Sequence, residues 1–162
     1  MNRYIPPFLL LLLTLHTASA EKAPALLVLD RYLGTWDSEV TNTITGEVSK
    51  TTQSRTWSKK GTFVISEDFD HTAGLEAFFL MTYDPGQKKY RTCFINNYDT
   101  VPITGIWDEA TKTMILDGKT SWGTTVKGTH RFLDKDNTKW NLVYKDAQGK
   151  VVLKLSAKQT KR

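Results

Sequence analysis

Cysteine is almost missing from this chain: Cys93 is the only one in 162 residues. No intramolecular disulfide can form, so the fold must be held by packing alone. Long apolar runs are missing too. The apolar stretch from Phe8 to Leu15 is far short of the roughly 20 residues that a spanning helix needs. No G-x-S-x-G elbow, H-E-x-x-H, P-loop or G-x-G-x-x-G occurs, which removes the commonest hydrolase, zinc-protease, nucleotide and dinucleotide signatures. No N-x-S/T sequon is present either, which fits a bacterial setting better than a eukaryotic secretory one. Basic charge is not concentrated: Lys and Arg are scattered, with small clusters only at Lys59-Lys60, Lys88-Lys89 and the tail. A nucleic-acid partner is therefore not expected, because such proteins gather basic charge on one face.

What is present divides into two parts. Residues 1–20 have the layout of an export signal: Arg3, an apolar core at Phe8 to Leu15, and the small-x-small pattern Ala18-Ser19-Ala20 before Glu21. Cleavage there leaves 21–162 as one domain, long enough for a proper core. The formal net charge of the whole chain is +5, and the leader holds only one of its charges, at Arg3. A periplasmic or secreted protein is expected. Five Trp, six Tyr and seven Phe supply the bulk for a disulfide-free core, since each can bury ~150–250 Å².

Leu26, Leu27, Leu29, Tyr32 and Leu33 recur at helical spacing after Pro24, and Gly34 ends the run as a C′ glycine would. From Thr35 the apolar period changes to two. Turn residues then cut the chain into about ten short strands. These are expected near 35–43, 47–58, 62–69, 76–83 and 90–97, then 101–107, 113–117, 124–132, 140–144 and 151–158. Connections of two to five residues favour an antiparallel meander. Closure removes the edges of so long a meander, so an all-β, up-and-down barrel is preferred to a sandwich.

A short helix followed by Gly34-Thr35-Trp36 resembles the opening of calycins, the barrel superfamily that includes lipocalins and fatty-acid-binding proteins. The resemblance implies that Trp36 lies across one barrel end against a basic residue of the last strand. Lys158, Lys161 and Arg162 are the candidates, with Arg162 preferred, so Gly34, Trp36 and Arg162 are the structural trio it implies. The ordered set Leu33 to Trp36, Ser54 to Trp57, Gly61 to Val64, Tyr83 to Pro85, Lys88 to Tyr90, Gly105 to Asp108 and Thr160 to Arg162 is similar to the bacterial calycin-like family catalogued as domain of unknown function 1579. Thr82 and Cys93 to Asn96 depart from that family's pattern. The family implies a fold and a cavity, and no set chemistry.

Gln53, Arg55 and Trp57 alternate and therefore share a face. If that face is inward, Arg55 is a buried cation needing a carboxylate or an acidic ligand; the alternative is an Arg55 in solvent or stacked on Trp57. The lumen-facing set expected to meet a ligand is Arg55, Trp57, Phe79, Met81, Tyr83 and Phe94, with Asn97, His130 and Arg131 as further polar candidates. His130 and Arg131 are adjacent and must point to opposite faces. Cys93, between Thr92 and Phe94, reads as a small hydrophobe and not a nucleophile.

Glu67, Asp68, Asp70 and His71 are the densest group of metal-ligand types, yet alternation gives no face three of them. They read as a solvated acidic strand end, and no metal site follows. No cofactor is expected, haem included, since neither His71 nor His130 has a recognisable haem environment in the sequence. The leading reading is an exported barrel that binds a small, partly apolar molecule, with an acidic group where Arg55 meets it. The alternatives are an enzyme using Arg55 and His130 in the lumen, or a filled barrel whose outer face binds protein. The oligomeric state does not follow from the sequence.

Overall fold

The computed structural model describes residues 23–96 and 98–162. The expected leader at 1–20 and Asn97 lie outside the described residues. Among those described, the chain opens with one α-helical turn, α1 (Pro24–Leu27), and a 3₁₀ turn, Val28–Tyr32. The five strands of the first half follow as β1 (Gly34–Asn42), β2 (Val48–Trp57), β3 (Val64–Asp70), β4 (Leu75–Asp84) and β5 (Lys89–Asn96). The second half gives β6 (Thr100–Asp108), β7 (Thr113–Lys119), β8 (Thr125–Phe132), β9 (Asn137–Lys145) and β10 (Val151–Lys161).

Every strand pairs antiparallel with its sequence neighbour, and β1 also pairs with β10, so the sheet closes into an up-and-down barrel. The expected fold class and its ten strands are those observed. Most boundaries fall within one or two residues of those expected, and two differ by three. β9 begins at Asn137 and not Trp140, because the Asp134 carboxylate accepts the backbone N–H groups of Asp136 and Asn137, both at 2.8 Å, and tightens the turn. β10 runs on to Lys161 because β1 offers partners as far as Trp36. Only the first turn of the helical segment is α-helical; from Val28 it tightens to 3₁₀, which aligns Leu29 and Tyr32 on one side, both buried.

That segment plugs one end of the barrel. Leu29 and Tyr32 pack with Val64, Met81, Met114 and Phe132 in the larger apolar cluster. Two polar ties fix the plug: the Trp57 indole donates to Asp30 Oδ1 at 2.7 Å, and the Tyr90 hydroxyl donates to the Ala25 carbonyl at 2.8 Å. Gly34 joins plug to barrel with φ 106°, a backbone conformation that calls for glycine. Trp36 is fully buried beneath the plug and its Nε1 donates to the Tyr32 carbonyl at 2.8 Å.

The basic partner of Trp36 is Lys161, not Arg162. Trp36 and Lys161 are register partners and so share the inner face, with Lys161 Nζ 5.6 Å from the indole centroid. Strand alternation turns the next residue outward. Arg162 accordingly lies on the outer surface, where Nε and Nη2 each donate to the Asp37 carboxylate at 2.7 Å. A second, smaller apolar cluster of Val101, Ile103 and Val126 lines the barrel nearer its other end.

Candidate functional site

The lumen is not filled. Between the plugged floor and the opposite mouth lies a cavity of about 410 Å³. Phe79 of β4, Phe94 of β5, Leu116 of β7 and Trp140 and Leu142 of β9 form much of its wall. These positions alternate with outward residues along each strand, so the period-two pattern that makes the sheet also makes the wall apolar. The floor is polar, and Arg55, Gln53, Asp68, Tyr32 and His130 line it.

Arg55 sits opposite Gly34 on β1 and Ser66 on β3, and only 6% of its surface is exposed. Its guanidinium lies 5.6 Å from the Tyr32 ring centroid and 5.9 Å from that of Trp36. Such contacts hold a cation among aromatic faces. Nη2 donates to Gln53 Oε1. Nε and Nη1 are buried and have no hydrogen-bond partner among the described residues, and the same is true of the Tyr32 hydroxyl. Desolvation pushes the Arg55 pKa down, opposed by the nearby Asp68 charge. Guanidinium is basic enough to stay protonated. It is therefore a buried cation with donors to spare.

The remaining polar groups of the floor form one directed chain. Because Arg55 can only donate, Gln53 Oε1 must accept, and Gln53 Nε2 is left to donate to Asp68 Oδ2 at 2.8 Å. Gln53 Oε1 also accepts from Gln159 Nε2 at 2.5 Å, and that amide donates to Ser38 Oγ at 2.7 Å. Gln159 Oε1 then accepts the Thr138 hydroxyl at 3.0 Å. Having given its proton away, Thr138 Oγ1 must accept from His130 Nε2, 3.0 Å distant. A residue that cannot accept thus sets the His130 tautomer four side chains away: the proton is on Nε2.

His130 stacks on Phe132 with ring centroids 5.0 Å apart and meets the Tyr32 ring edge-on at 5.0 Å. Desolvation first, and the Arg55 charge second, hold its pKa well below the ordinary histidine value, so it is neutral. Asp68 is half-buried and its pKa is raised by desolvation, while Arg55, Ser66 and Gln53 all oppose the rise. Ser66 Oγ donates to its other oxygen.

Of the residues singled out in the sequence, Arg55, Phe79, Phe94 and His130 meet around the cavity. Trp57, Met81 and Tyr83 share the inward parity but pack against the plug, away from it. Arg131 is exposed on the outer wall, as the alternation with His130 requires, and is not a lumen group. Asp68 departs from the solvated strand end expected for it: the β2–β3 register sets it beside Gln53 on the inner face. Tyr32, Thr138 and Gln159 were not anticipated at the site. Asp68 was within reach of the sequence, since counting back across the Lys59-Lys60-Gly61 turn pairs it with Gln53. Thr138 and Gln159 carried no such local signal.

Among solved structures, Rv2717c from M. tuberculosis is similar over 88% of this chain and 99% of its own, with a TM-score of 0.64 at 14% identity. The fold is calycin-like. Two further structures superpose weakly. A de novo designed fluorescence-activating β-barrel has a TM-score of 0.43 at 12% identity, over 82% of this chain and 95% of its own. A protein of unknown function from the DUF3598 family of Nostoc punctiforme has a TM-score of 0.28 at 6% identity, over 87% and 100%. No protein-family model and no curated protein matches the chain.

Proposed function

We propose that this chain is an exported binding protein for a small apolar acid, that residues 1–20 are removed on export to leave the domain 21–162, and that it belongs to the calycin-like family catalogued as domain of unknown function 1579. The observation that carries the binding reading is Arg55: a buried guanidinium with two unpartnered nitrogens on the polar floor of a cavity with largely apolar walls. An acid whose head meets Arg55 satisfies donors that otherwise stay unpaired, and each such buried group costs about 1–3 kcal/mol when left alone. Its hydrocarbon part lies along Phe79, Phe94 and Leu142. The cavity volume falls in the range of ordinary ligand sites, roughly 300–1,000 Å³, and argues against a filled barrel that works only through its outer face.

The test is calorimetric titration of the purified chain with decanoate beside decanol. Decanoate binds and decanol binds at least tenfold more weakly; Arg55→Gln removes the difference. Equal affinity for acid and alcohol in the parent chain refutes the reading. Export is checked separately, by N-terminal sequencing of protein recovered from a bacterial periplasm, which should begin at Glu21.

A further inference from the structure

The floor holds one cation and one anion, and a single side-chain amide links them. Arg55 and Asp68 are joined through Gln53, whose carbonyl takes the guanidinium and whose amide gives to the carboxylate. Gln53 cannot turn over, because reversal would set its NH₂ against both the Arg55 and the Gln159 donors. Asp68 is therefore fixed beside the guanidinium by Gln53 and Ser66. The groups facing it from neighbouring elements are Arg55 and Gln53 on β2, Ser66 and Asp70 on its own strand, and Ala77 and Glu76 on β4. Among the charged groups, the Arg55 guanidinium opposes the rise that burial imposes on the Asp68 pKa. Tyr32 and His130 complete the floor, and neither carries charge at neutral pH.

An acid seated on Arg55 brings a second carboxylate to a floor with a single positive charge. Two carboxylates cannot both stay ionised at close range in a poorly solvated site, and one proton is then shared between them. Building on the acid-binding reading above, we infer that the apolar acid binds together with one proton, which neutralises Asp68 and lets it donate to the ligand head while Arg55 Nε and Nη1 hold the same head. The balance is simple: one proton leaves the buffer, Asp68 becomes a carboxylic acid, and the floor keeps a net charge of zero before and after. Each Asp68 oxygen already accepts one hydrogen bond, so its new O–H has the ligand as its free acceptor. Ligand capture is thereby favoured in acid and release in base.

Calorimetric titration with decanoate at pH 7.5, in phosphate and in Tris, reads the protons exchanged from the difference in heat between buffers. The expected uptake is close to one, and the affinity weakens about tenfold per pH unit above neutrality. Decanesulfonate, whose head cannot hold a proton in this range, keeps the uptake because the proton goes to Asp68. Asp68→Asn abolishes both the uptake and the pH dependence. Uptake near zero with decanoate overturns the inference and leaves acid binding intact. Uptake with decanoate but none with decanesulfonate also overturns it, by placing the proton on the ligand. Absence of binding by either probe takes down the acid-binding reading itself. The sulfonate comparison uses the unaltered chain, so the result stands even if Asp68→Asn does not fold.

Discussion

Lys161 Nζ lies 5.6 Å from the centroid of the Trp36 indole, and the two residues are register partners where β10 meets β1. This contact lies on the seam that closes the barrel, joining residues at opposite ends of the chain. It makes the two C-terminal cations unequal. Trp36→Ala removes the largest fully buried side chain and should cost about 3–5 kcal/mol. Lys161→Met removes the cation and keeps the aliphatic stem, and should cost about 0.5–1 kcal/mol. Arg162→Ala breaks only exposed contacts, with Asp37 and Thr52, and should leave the transition almost unmoved. Urea unfolding followed by tryptophan fluorescence ranks the three; an Arg162 effect larger than that of Lys161 contradicts the assignment.

The Arg55–Gln53–Asp68 arrangement makes a coupled prediction. Asp68→Ala leaves a buried guanidinium without its counter-charge and should destabilise by about 3–5 kcal/mol. Adding Arg55→Met removes the stranded cation, and the double variant should recover most of the loss. Additive losses in denaturant midpoints would show that the two charges act independently. The double variant should also no longer distinguish decanoate from decanol.

The legible and illegible parts of this molecule differ by range of interaction. The barrel could be read because its signals are local: period-two alternation within each strand, turn residues between strands, and the Gly34-x-Trp36 opening. Alternation put Gln53, Arg55 and Trp57 on one face but left open whether that face was inner or outer; the register resolves it as inner. Alternation gives the face but not the depth. Trp57, Met81 and Tyr83 thus share a face with the cavity wall and yet serve the plug. The polar chain from Arg55 to His130 is read only with the register in hand, since Gln53 and Gln159 meet across 106 residues of sequence. The choice of Lys161 over Arg162 turned on a one-residue register, which composition at the tail could not supply.

Acid sensitivity should come from His130. Its folded-state pKa is held well below the ordinary value by burial and by Arg55, whereas in the unfolded chain it titrates near 6.5. Between those two values the unfolded state binds more protons, so stability falls as pH drops through about 6.5 and keeps falling toward the folded-state value. The slope approaches about 1.4 kcal/mol per pH unit for one proton. His130→Gln keeps a donor toward Thr138 and should flatten the acid limb between pH 6.5 and 5. Unfolding free energies of parent and variant across that range decide it; parallel curves would assign the acid sensitivity elsewhere.

A hollow lumen and a ligand compete for the same space, and this can be tested without touching the polar floor. Val101 of β6 is buried and borders the cavity beside Phe94, its register partner on β5. Val101→Phe puts a ring into space that the fold leaves open, so it should not incur the roughly 1–3 kcal/mol that overpacking costs in a filled core. Additional apolar burial should instead hold or raise the urea midpoint. Affinity for decanoate should fall at least tenfold while the preference for acid over alcohol persists, because Arg55 is untouched. A destabilised Val101→Phe that binds decanoate normally would mean that side chain points into packed protein and that the ligand lies somewhere else.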